Sequence, residues 1–222
     1  MKRILIIFIT VIFSTSILYS DEYSLESFKE LYTQMKNKYS SMYPKKFDAY
    51  IKGSIVEKQI STIPARSYIS EKDNVKLKFT FSQGNKPSII LENVDSFYRD
   101  MFSVFEGVLE TTGFYVLVGN MTNYDTFSKK FNFESIGENN KEYKVVLRAK
   151  GENSNYSVEY TINKISLLIE EAKYYNKKSK IYDVHILYTK LENYILPQKI
   201  KYKSSDGRVN SEIEFVNIKI FS

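Results

Sequence analysis

The sequence contains no cysteine, no tryptophan and a single histidine. Without cysteine there is no disulfide framework, so the chain must be held together by an ordinary hydrophobic core. The same absence excludes thiol catalysis and cysteine-based zinc sites, and one histidine cannot form a multi-histidine metal site. We therefore expect neither a metal ion nor a cofactor.

The sequence also lacks the short motifs of common enzyme classes. It has no Gly-Lys-Ser/Thr phosphate-binding loop, no Gly-x-Ser-x-Gly nucleophile elbow and no acidic pairs at the spacing of a calcium-binding loop. Its one histidine, His185, is predicted to be an exposed or edge residue of a strand at 181–190, because a catalytic histidine needs a positioned partner. The pair Glu170-Glu171 is predicted to lie in a solvated turn beside Lys173. These features predict that the protein is not an enzyme.

The first residues have the pattern of a secretory signal peptide. Lys2 and Arg3 precede an apolar run at 4–13, which is followed by small and polar residues up to Ser20. The run is shorter than the roughly 20 residues that span a bilayer, although an uncleaved anchor is an alternative. We expect residues 1–20 to be removed, and we expect the exported protein to carry no lipid of its own because no cysteine follows the signal.

The charge of the chain favours some partners over others. There are 32 basic and 26 acidic residues, which gives a net charge of +6. The two signs alternate along the chain, a pattern that indicates solubility first and weak attraction to an anionic membrane surface second. Nucleic acid is not an expected partner of an exported chain with this pattern. The absence of linkers and repeats predicts a single domain over residues 21–222.

The stretch from residue 142 to 221 organises the predicted fold. In 156–163, every second residue is apolar or aromatic and the residues between are polar, which predicts a half-buried strand. Further strands are predicted at 143–150, 165–170, 181–190, 197–203 and 209–221, with a Lys/Asn-rich connector before residue 181. Short connections with Asp-Gly and Gly-Glu-Asn sequences favour hairpins, and hence an antiparallel sheet.

The N-terminal half combines a helix with more strands. Residues 25–40 place apolar side chains at spacings of three and four, which predicts an amphipathic helix that begins after Ser24 as N-cap. Strands are predicted at 47–57, 62–70, 75–82 and 88–93. Pro64 indicates an edge or irregular stretch rather than a central strand.

The middle of the chain is rich in aromatic residues, in a protein with 19 Tyr and 15 Phe. Residues 95–109 have helical spacing and carry Phe97, Met101, Phe102 and Phe105 on one apolar face. The continuously apolar segment 113–118 is compatible with helix or strand, and 122–133 again has helical spacing. We predict an aromatic helical insertion between two sets of strands.

A twisted antiparallel sheet of about ten strands curls and acquires a concave inside. The alternation sends one set of residues to the same face: Val75, Leu77, Phe79, Phe81, Tyr143, Val145, Leu147, Tyr156, Val158, Tyr160, Ile162, Tyr182, Val184, Ile186 and Tyr188. If helices cover this face loosely, it borders an apolar cavity. If they fill the inside completely, it is a plain core.

Three stretches near the end of the chain form a recognisable pattern: Leu196-Pro197-Gln198-Lys199-Ile200, then Asp206-Gly207, and the last strand with Glu214-Phe215-Val216-Asn217-Ile218-Lys219-Ile220. With the order of the segments before them, they resemble the LolA/LolB-like outer-membrane lipoprotein carrier family. The strand pair at 75–81 and 89–94 is similar to a corresponding pair in the family. The family pattern of a signal peptide, an amphipathic helix, strands, a helical insertion and a final meander covers nearly the whole chain.

The resemblance implies an α+β fold, in which the curved antiparallel sheet forms a half-open β-barrel with helices packed over its concave face. It implies a soluble periplasmic chaperone that binds lipoprotein acyl chains or other lipids and carries lipoproteins from the inner to the outer membrane. Its implied partners are an inner-membrane lipoprotein-releasing transporter and an outer-membrane acceptor, and we expect the protein itself to be a monomer.

The implied site is an acyl-chain cavity lined by the residues of the concave face listed above. Phe97, Met101, Phe102 and Phe105 are candidates for a lid that fills the cavity when it is empty, and the alternative is that they are sealed core. Where the family has a lid-closing Arg-Pro, this chain has Lys72-Asp73. Lys72 is a candidate latch, although lysine lacks the planar fork of arginine.

Two other functions remain as alternatives. The same curved sheet could serve a periplasmic protein-interaction or stress-sensing module, whose interior would be tightly packed. A hydrolase with an unrecognised site would depend on His185 or on a specific carboxylate.

Overall fold

The computed structural model describes residues 24–85, 87–99 and 121–221. In this part of the chain, one antiparallel sheet contains ten strands. They are β1 Lys46–Lys52, β2 Lys76–Ser82, β3 Ser88–Glu92, β4 Phe131–Glu138, β5 Glu142–Ala149, β6 Tyr156–Asn163, β7 Ile169–Asn176, β8 Ser179–Leu191, β9 Tyr194–Ser204 and β10 Asn210–Phe221.

The strand order is β3-β2-β1-β10-β9-β8-β7-β6-β5-β4. The long pairing of β1 with β10 joins the first strands of the chain to the last one. Among the described residues β3 and β4 stand at opposite edges and do not pair with each other, so the curved sheet is not closed. The α+β fold with a half-open barrel is confirmed.

One helix, α1 at Leu25–Met42, covers part of the sheet. The side chain of Ser24 accepts a 3.3 Å hydrogen bond from the amide of Ser27, so the predicted N-cap is confirmed. The apolar stripe of the helix is buried through Phe28, Leu31, Tyr32, Met35 and Tyr39. No helix within the described ranges is long and apolar enough to cross a membrane.

The sheet has two ends, which we name after residues in their turns. The Gly207 end carries the turn between β9 and β10, and the Leu167 end carries the loop between β6 and β7. Helix α1 begins near the Gly207 end, where the ring of Phe28 stacks on that of Phe133 at 5.1 Å. It ends near the Leu167 end, where the Tyr39 hydroxyl donates a 2.6 Å hydrogen bond to the Leu167 carbonyl oxygen.

The predicted strand at 47–57 is only partly present. Strand β1 ends at Lys52, and a short helix, α2 at Ser54–Ile60, begins immediately after Gly53. Gly53 has φ +136°, and a Cβ atom placed on it would lie 2.0 Å from the carbonyl oxygen of Glu212. The chain thus turns from strand to helix at a position where a side chain does not fit.

The predicted strand at 62–70 is wrong. This stretch contains a 3₁₀ turn at Ala65–Ser67 and a single bridge between Tyr68 and Val94. Pro64 precedes the turn with φ −58°, and it cannot donate to a strand ladder. Three-residue 3₁₀ turns also occur at Lys72–Asn74 and Gly151–Asn153.

The prediction around residue 170 is also wrong. Strand β7 starts at Ile169 and runs to Asn176, so Glu170-Glu171 lie within a strand rather than in a turn. The predicted strand residues 165–168 instead form a loop, in which the side chain of Asn163 accepts hydrogen bonds from two loop amides. Leu167 adopts φ +58° there, a left-handed conformation that ends strand pairing.

The helical spacing at 122–133 arises from two different elements. Helix α4 spans Tyr124–Ser128, with Asn123 as its N-cap, and β4 begins at Phe131. The rings of Phe127 and Phe131 stack at 5.2 Å across the intervening turn. Two aromatic residues can therefore meet at helical spacing without a continuous helix.

Only the start of the predicted helix at 95–109 lies among the described residues. It is α3, Ser96–Arg99, and the side chain of Asp95 accepts a 3.0 Å hydrogen bond from the amide of Phe97. Met101, Phe102, Phe105, the segment 113–118 and the predicted signal peptide at 1–20 lie outside the described residues.

Candidate ligand-binding face

The face of the sheet on which α1 packs, which we call the inner face, is apolar along its strands. Strand register places all the described β2, β5, β6 and β8 residues of the predicted site on this one face. Ten of the predicted residues are buried: Val75, Leu77, Phe79, Phe81, Val145, Leu147, Val158, Ile162, Val184 and Ile186.

The half of the inner face formed by β1, β2, β3 and β10 is closely packed by aromatic rings. Phe47 lies 5.6 Å from Phe79 and 5.3 Å from Phe81, ring centroid to ring centroid. Phe79 and Phe215 contact edge to face at 5.6 Å. Phe79 is fully buried, so this half has the character of a protein core.

In the other half, formed by β5 to β9, buried aliphatic side chains alternate with more accessible tyrosines. Tyr143, Tyr160 and Tyr188 are half-buried. Tyr156 and Tyr182, near the Gly207 end, retain 45% and 40% of their accessible surface. The predicted site residues therefore divide into a sealed set on β2 and a partly open set on β5, β6 and β8.

Two predicted residues near the Gly207 end lie away from this face. Phe97 is 83% exposed, and its ring lies 5.1 Å from that of Tyr98. Lys72 lies on the exposed 3₁₀ turn Lys72–Asn74, where its carbonyl oxygen accepts a hydrogen bond from the Val75 amide. The structure thus brings neither of them onto the inner face.

Three tyrosines of the inner face were not predicted from the sequence as site residues. Tyr43 is the C-cap of α1, Tyr174 lies on β7 and Tyr202 on β9. Tyr39, by contrast, belongs to the apolar stripe that the spacing of residues 25–40 predicts. The excess of tyrosine in the composition was the signal for the other three. Tyr174 was overlooked because its strand was interpreted as a connector.

The tyrosines at the Leu167 end hold the loop before β7. The Tyr39 hydroxyl donates to the Leu167 carbonyl oxygen and the Tyr188 hydroxyl to that of Ile169, both at 2.6 Å. The Tyr43 hydroxyl is enclosed next to them without a hydrogen-bond partner. Burial, followed by the nearby Tyr39, raises the pKa of Tyr43 well above its usual value, so the phenol is neutral.

The opposite, outer face of the sheet carries alternating charges. Lys78 lies 3.1 Å from Asp48, Lys199 lies 3.1 Å from Glu212, and Lys173 lies 3.3 Å from Glu171. Such partly exposed pairs add little stability individually and keep this face hydrated.

His185 lies on this outer face, as its position in the sequence predicts, with 55% of its side chain exposed. Its Nε2 atom is 3.6 Å from Oε1 of Glu171, the residue opposite it on β7. Among the residues described, no group of three or more His, Asp or Glu side chains could hold a metal ion.

A surface hollow of about 400 Å³ opens at the Gly207 end. Its walls include Tyr182 and Ser204, two inner-face residues that pair across β8 and β9, together with Asp206 and Arg208 from the adjoining turn. The hollow therefore borders the partly open half of the inner face.

Comparison with known proteins gives structural neighbours only. No family model matches the sequence, and no characterised protein matches it. A DUF1329 family protein from Desulfovibrio piger has a TM-score of 0.46 and 9% identity, over 88% of this chain and 92% of that one. A putative outer membrane lipoprotein-sorting protein domain from Vibrio parahaemolyticus has a TM-score of 0.43 and 10% identity, over 87% of this chain and 92% of that one. Similarity at this level assigns neither protein's function to this chain.

Proposed function

We propose that this protein is a periplasmic carrier that binds the acyl chains of lipoproteins and moves them from the inner to the outer membrane. The observation that carries the proposal is the partly open half of the inner face, where half-buried tyrosines border buried Val145, Val158, Val184 and Ile186. The sequence resemblance to lipoprotein carriers supports the same role. We propose that the β5, β6 and β8 residues contact the acyl chains, with the β2 residues behind them as a rigid wall.

Because burial of an acyl chain is strongly favourable, the protein needs a second state that allows the lipid to be released. Burying an acyl chain gains about 0.8 kcal/mol per methylene, so a chain of about 14 carbons gains roughly 10 kcal/mol. Release then needs a competing state of similar free energy. We propose that Phe97, Met101, Phe102 and Phe105 supply it, as a lid that would move onto the inner face when no lipid is bound, with Lys72 as the latch.

We propose further that the protein is exported to the periplasm and exchanges lipoproteins with both membranes. Residues 1–20 would direct export and be removed, and residues 21–222 would form the single carrier domain, a monomer. Its partners would be an inner-membrane lipoprotein-releasing transporter and an outer-membrane acceptor. N-terminal sequencing of the exported protein tests the cleavage, and a product that begins at Met1 would contradict it.

Lipid binding is the direct test of the proposed function. The full-length gene is expressed with export, and the secreted protein is titrated with a fluorescent triacylated lipopeptide. We expect saturable binding that an excess of unlabelled lipopeptide or nonionic detergent reverses. A signal that neither saturates nor is displaced would overturn the carrier role.

A second candidate function has its own observation in favour. The ring packing around Phe47, Phe79 and Phe215 is that of a solid core, which suits a periplasmic protein-interaction or stress-sensing module. Such a module would exclude apolar probes from its interior and bind a protein partner instead. The lipopeptide titration therefore separates the two candidates.

A further inference from the structure

Three tyrosines that are distant in sequence meet on the inner face near the Gly207 end. Tyr160 on β6 and Tyr202 on β9 belong to one cross-strand row, in which Ala172 and Val184 lie between them. Tyr174 on β7 lies in the next row, between Val158 and Tyr182. We call Tyr160, Tyr174 and Tyr202 the tyrosine cluster. The Tyr174 phenol lies close to those of both Tyr160 and Tyr202.

The cluster contains unused hydrogen-bonding capacity. The Tyr174 hydroxyl is enclosed and has no hydrogen-bond partner of good geometry, although it lies close to the hydroxyl of Tyr160. Ser211 on β10, which pairs directly with Tyr202, also has an enclosed hydroxyl without a partner. Buried hydroxyls are nearly always paired in proteins, so two such groups on one patch indicate a missing partner.

The phenols of the tyrosine cluster are protonated and can therefore donate hydrogen bonds. Burial raises the pKa of Tyr160 to about 12 and raises that of Tyr174 well above the usual value. Both phenols are therefore neutral at physiological pH and can donate to an acceptor.

The surroundings select a neutral acceptor over an anion. Apart from tyrosines, the only buried polar side chains among the described residues are Thr161 and Ser204, and neither is charged. A phosphate or carboxylate placed at the cluster would lose its hydration without gaining a cation. An ester carbonyl loses much less on burial and needs only a donor.

The cluster also has a path to the outside. Tyr182 and Ser204, which line the hollow at the Gly207 end, are neighbours of Tyr174 and Tyr202 in the sheet. In the opposite direction, the inner face continues through the buried side chains of Val184, Ile186 and Ile200. A molecule with a polar end at the cluster would thus lay its apolar part along these residues.

From this arrangement we infer that the tyrosine cluster binds the ester carbonyl oxygens of an acylglycerol group, with the acyl chains extending along β8 and β9 toward the Leu167 end. This inference rests on the proposed lipid-binding function and adds the polar group that the ligand must carry. It predicts that the protein distinguishes ester-linked from ether-linked lipids, because an ether has no carbonyl to accept the hydrogen bonds.

The test compares two lipids that differ only in that group. Binding of dimyristoylglycerol and of its di-O-tetradecyl ether analogue is measured by displacement of a fluorescent lipid from the exported protein. For one or two such hydrogen bonds, we expect about three- to tenfold tighter binding of the ester. Tyr174→Phe should reduce the ester affinity to that of the ether and leave the ether affinity unchanged.

A matched control is available in Tyr43. Tyr43→Phe also removes an enclosed hydroxyl without a partner, but at the Leu167 end. It should keep the full ester preference. Tyr160→Phe provides a second variant within the cluster, with the same expected loss as Tyr174→Phe.

These measurements distinguish a failure of the carbonyl-binding inference from a failure of the proposed lipid-binding function. If the wild type binds ester and ether equally, or if both cluster variants keep the preference, the tyrosine cluster is not the carbonyl site although the protein still binds lipid. If the wild type binds neither lipid and no lipopeptide, the proposed function itself is wrong.

Discussion

The Tyr39 hydroxyl donates a 2.6 Å hydrogen bond to the Leu167 carbonyl oxygen, across 128 positions of sequence. It ties the last turns of α1 to a loop whose residue Leu167 is in a left-handed conformation. Tyr39 is fully buried, so the bond has no competition from water. This contact fixes the position of the cover over the inner face at the Leu167 end.

Loss of this hydrogen bond should loosen α1. In Tyr39→Phe the Leu167 carbonyl is left without its partner, and we expect the free energy of unfolding to fall by about 1–3 kcal/mol. Urea denaturation measures the loss, and hydrogen exchange should show faster exchange in the C-terminal half of α1. An unchanged midpoint with unchanged exchange would contradict the role assigned to the bond.

Two neighbouring tyrosines should respond differently to the same change. The Tyr188 hydroxyl is bonded to the Ile169 carbonyl, whereas the Tyr43 hydroxyl has no partner. We expect Tyr188→Phe to lower the free energy of unfolding by about 1–2 kcal/mol and Tyr43→Phe to leave it equal or higher. Thermal unfolding of both variants checks the difference, and equal destabilisation by the two would refute it.

Substitution of Gly53 should be far more damaging than that of another glycine with positive φ. A Cβ at Gly53 would meet the Glu212 carbonyl oxygen, while one at Gly84, with φ +81°, has nothing within 4 Å. We expect Gly84→Ala to cost about 1 kcal/mol and Gly53→Ala at least about 3 kcal/mol, because β1 must move away from β10. Chemical denaturation of both proteins measures this, and similar costs would show that the close approach is not limiting.

The turn between β9 and β10 should lose stability in acid. Hydrogen bonds from the Ser204 hydroxyl and the Arg208 amide lower the pKa of Asp206 below its usual value of 3.8. Its contribution is therefore complete above about pH 4 and is lost as the pH falls through the lowered pKa of the folded state.

Replacing Asp206 with Asn should flatten the dependence of the thermal midpoint on pH below about 4. Ser204→Ala, which removes the largest cause of the shift, should flatten it in the same direction. A wild-type slope in both variants would mean that this carboxylate is not linked to folding.

Two exposed apolar residues at opposite ends test where lipid enters. Phe97 is 83% exposed at the Gly207 end and Ile165 is 89% exposed at the Leu167 end. Neither Phe97→Ala nor Ile165→Ala should change the free energy of unfolding by more than about 0.5 kcal/mol. Only Phe97→Ala should tighten lipopeptide binding and slow lipid release, because the proposed lid competes with lipid for the site. An effect of Ile165→Ala alone would show that the lid lies at the Leu167 end.

The local sequence pattern was sufficient to predict the strands and the helix that have one apolar and one polar side. Val75 to Phe81 and Tyr156 to Ile162 alternate apolar and polar residues, and a period of two places each set on one face whatever the partner strand is. The helix α1 was equally evident because Ser24 caps a regular apolar stripe. The antiparallel, curled sheet followed from these elements and from the short connections between them, whereas its half-open form was what the family resemblance implied.

Other elements depended on contacts that sequence does not display. Strand β7 contains three charged residues among its first five, and two of them meet side chains of the neighbouring strands: Lys173 pairs with Glu159 on β6, and Glu171 lies opposite His185 on β8. The stretch at 62–70 has strand-like residues but only one bridge, since Pro64 and the turn after it prevent a ladder.

The sequence by itself determined the apolar face, the capped first helix and the absence of a cysteine thiol, because these depend on residue type and on spacing along one segment. Only the tertiary structure decided which half of that face is sealed and where Tyr160, Tyr174 and Tyr202 meet. The register between strands controls such meetings, and it is set by cooperative packing of the whole sheet rather than by any one strand.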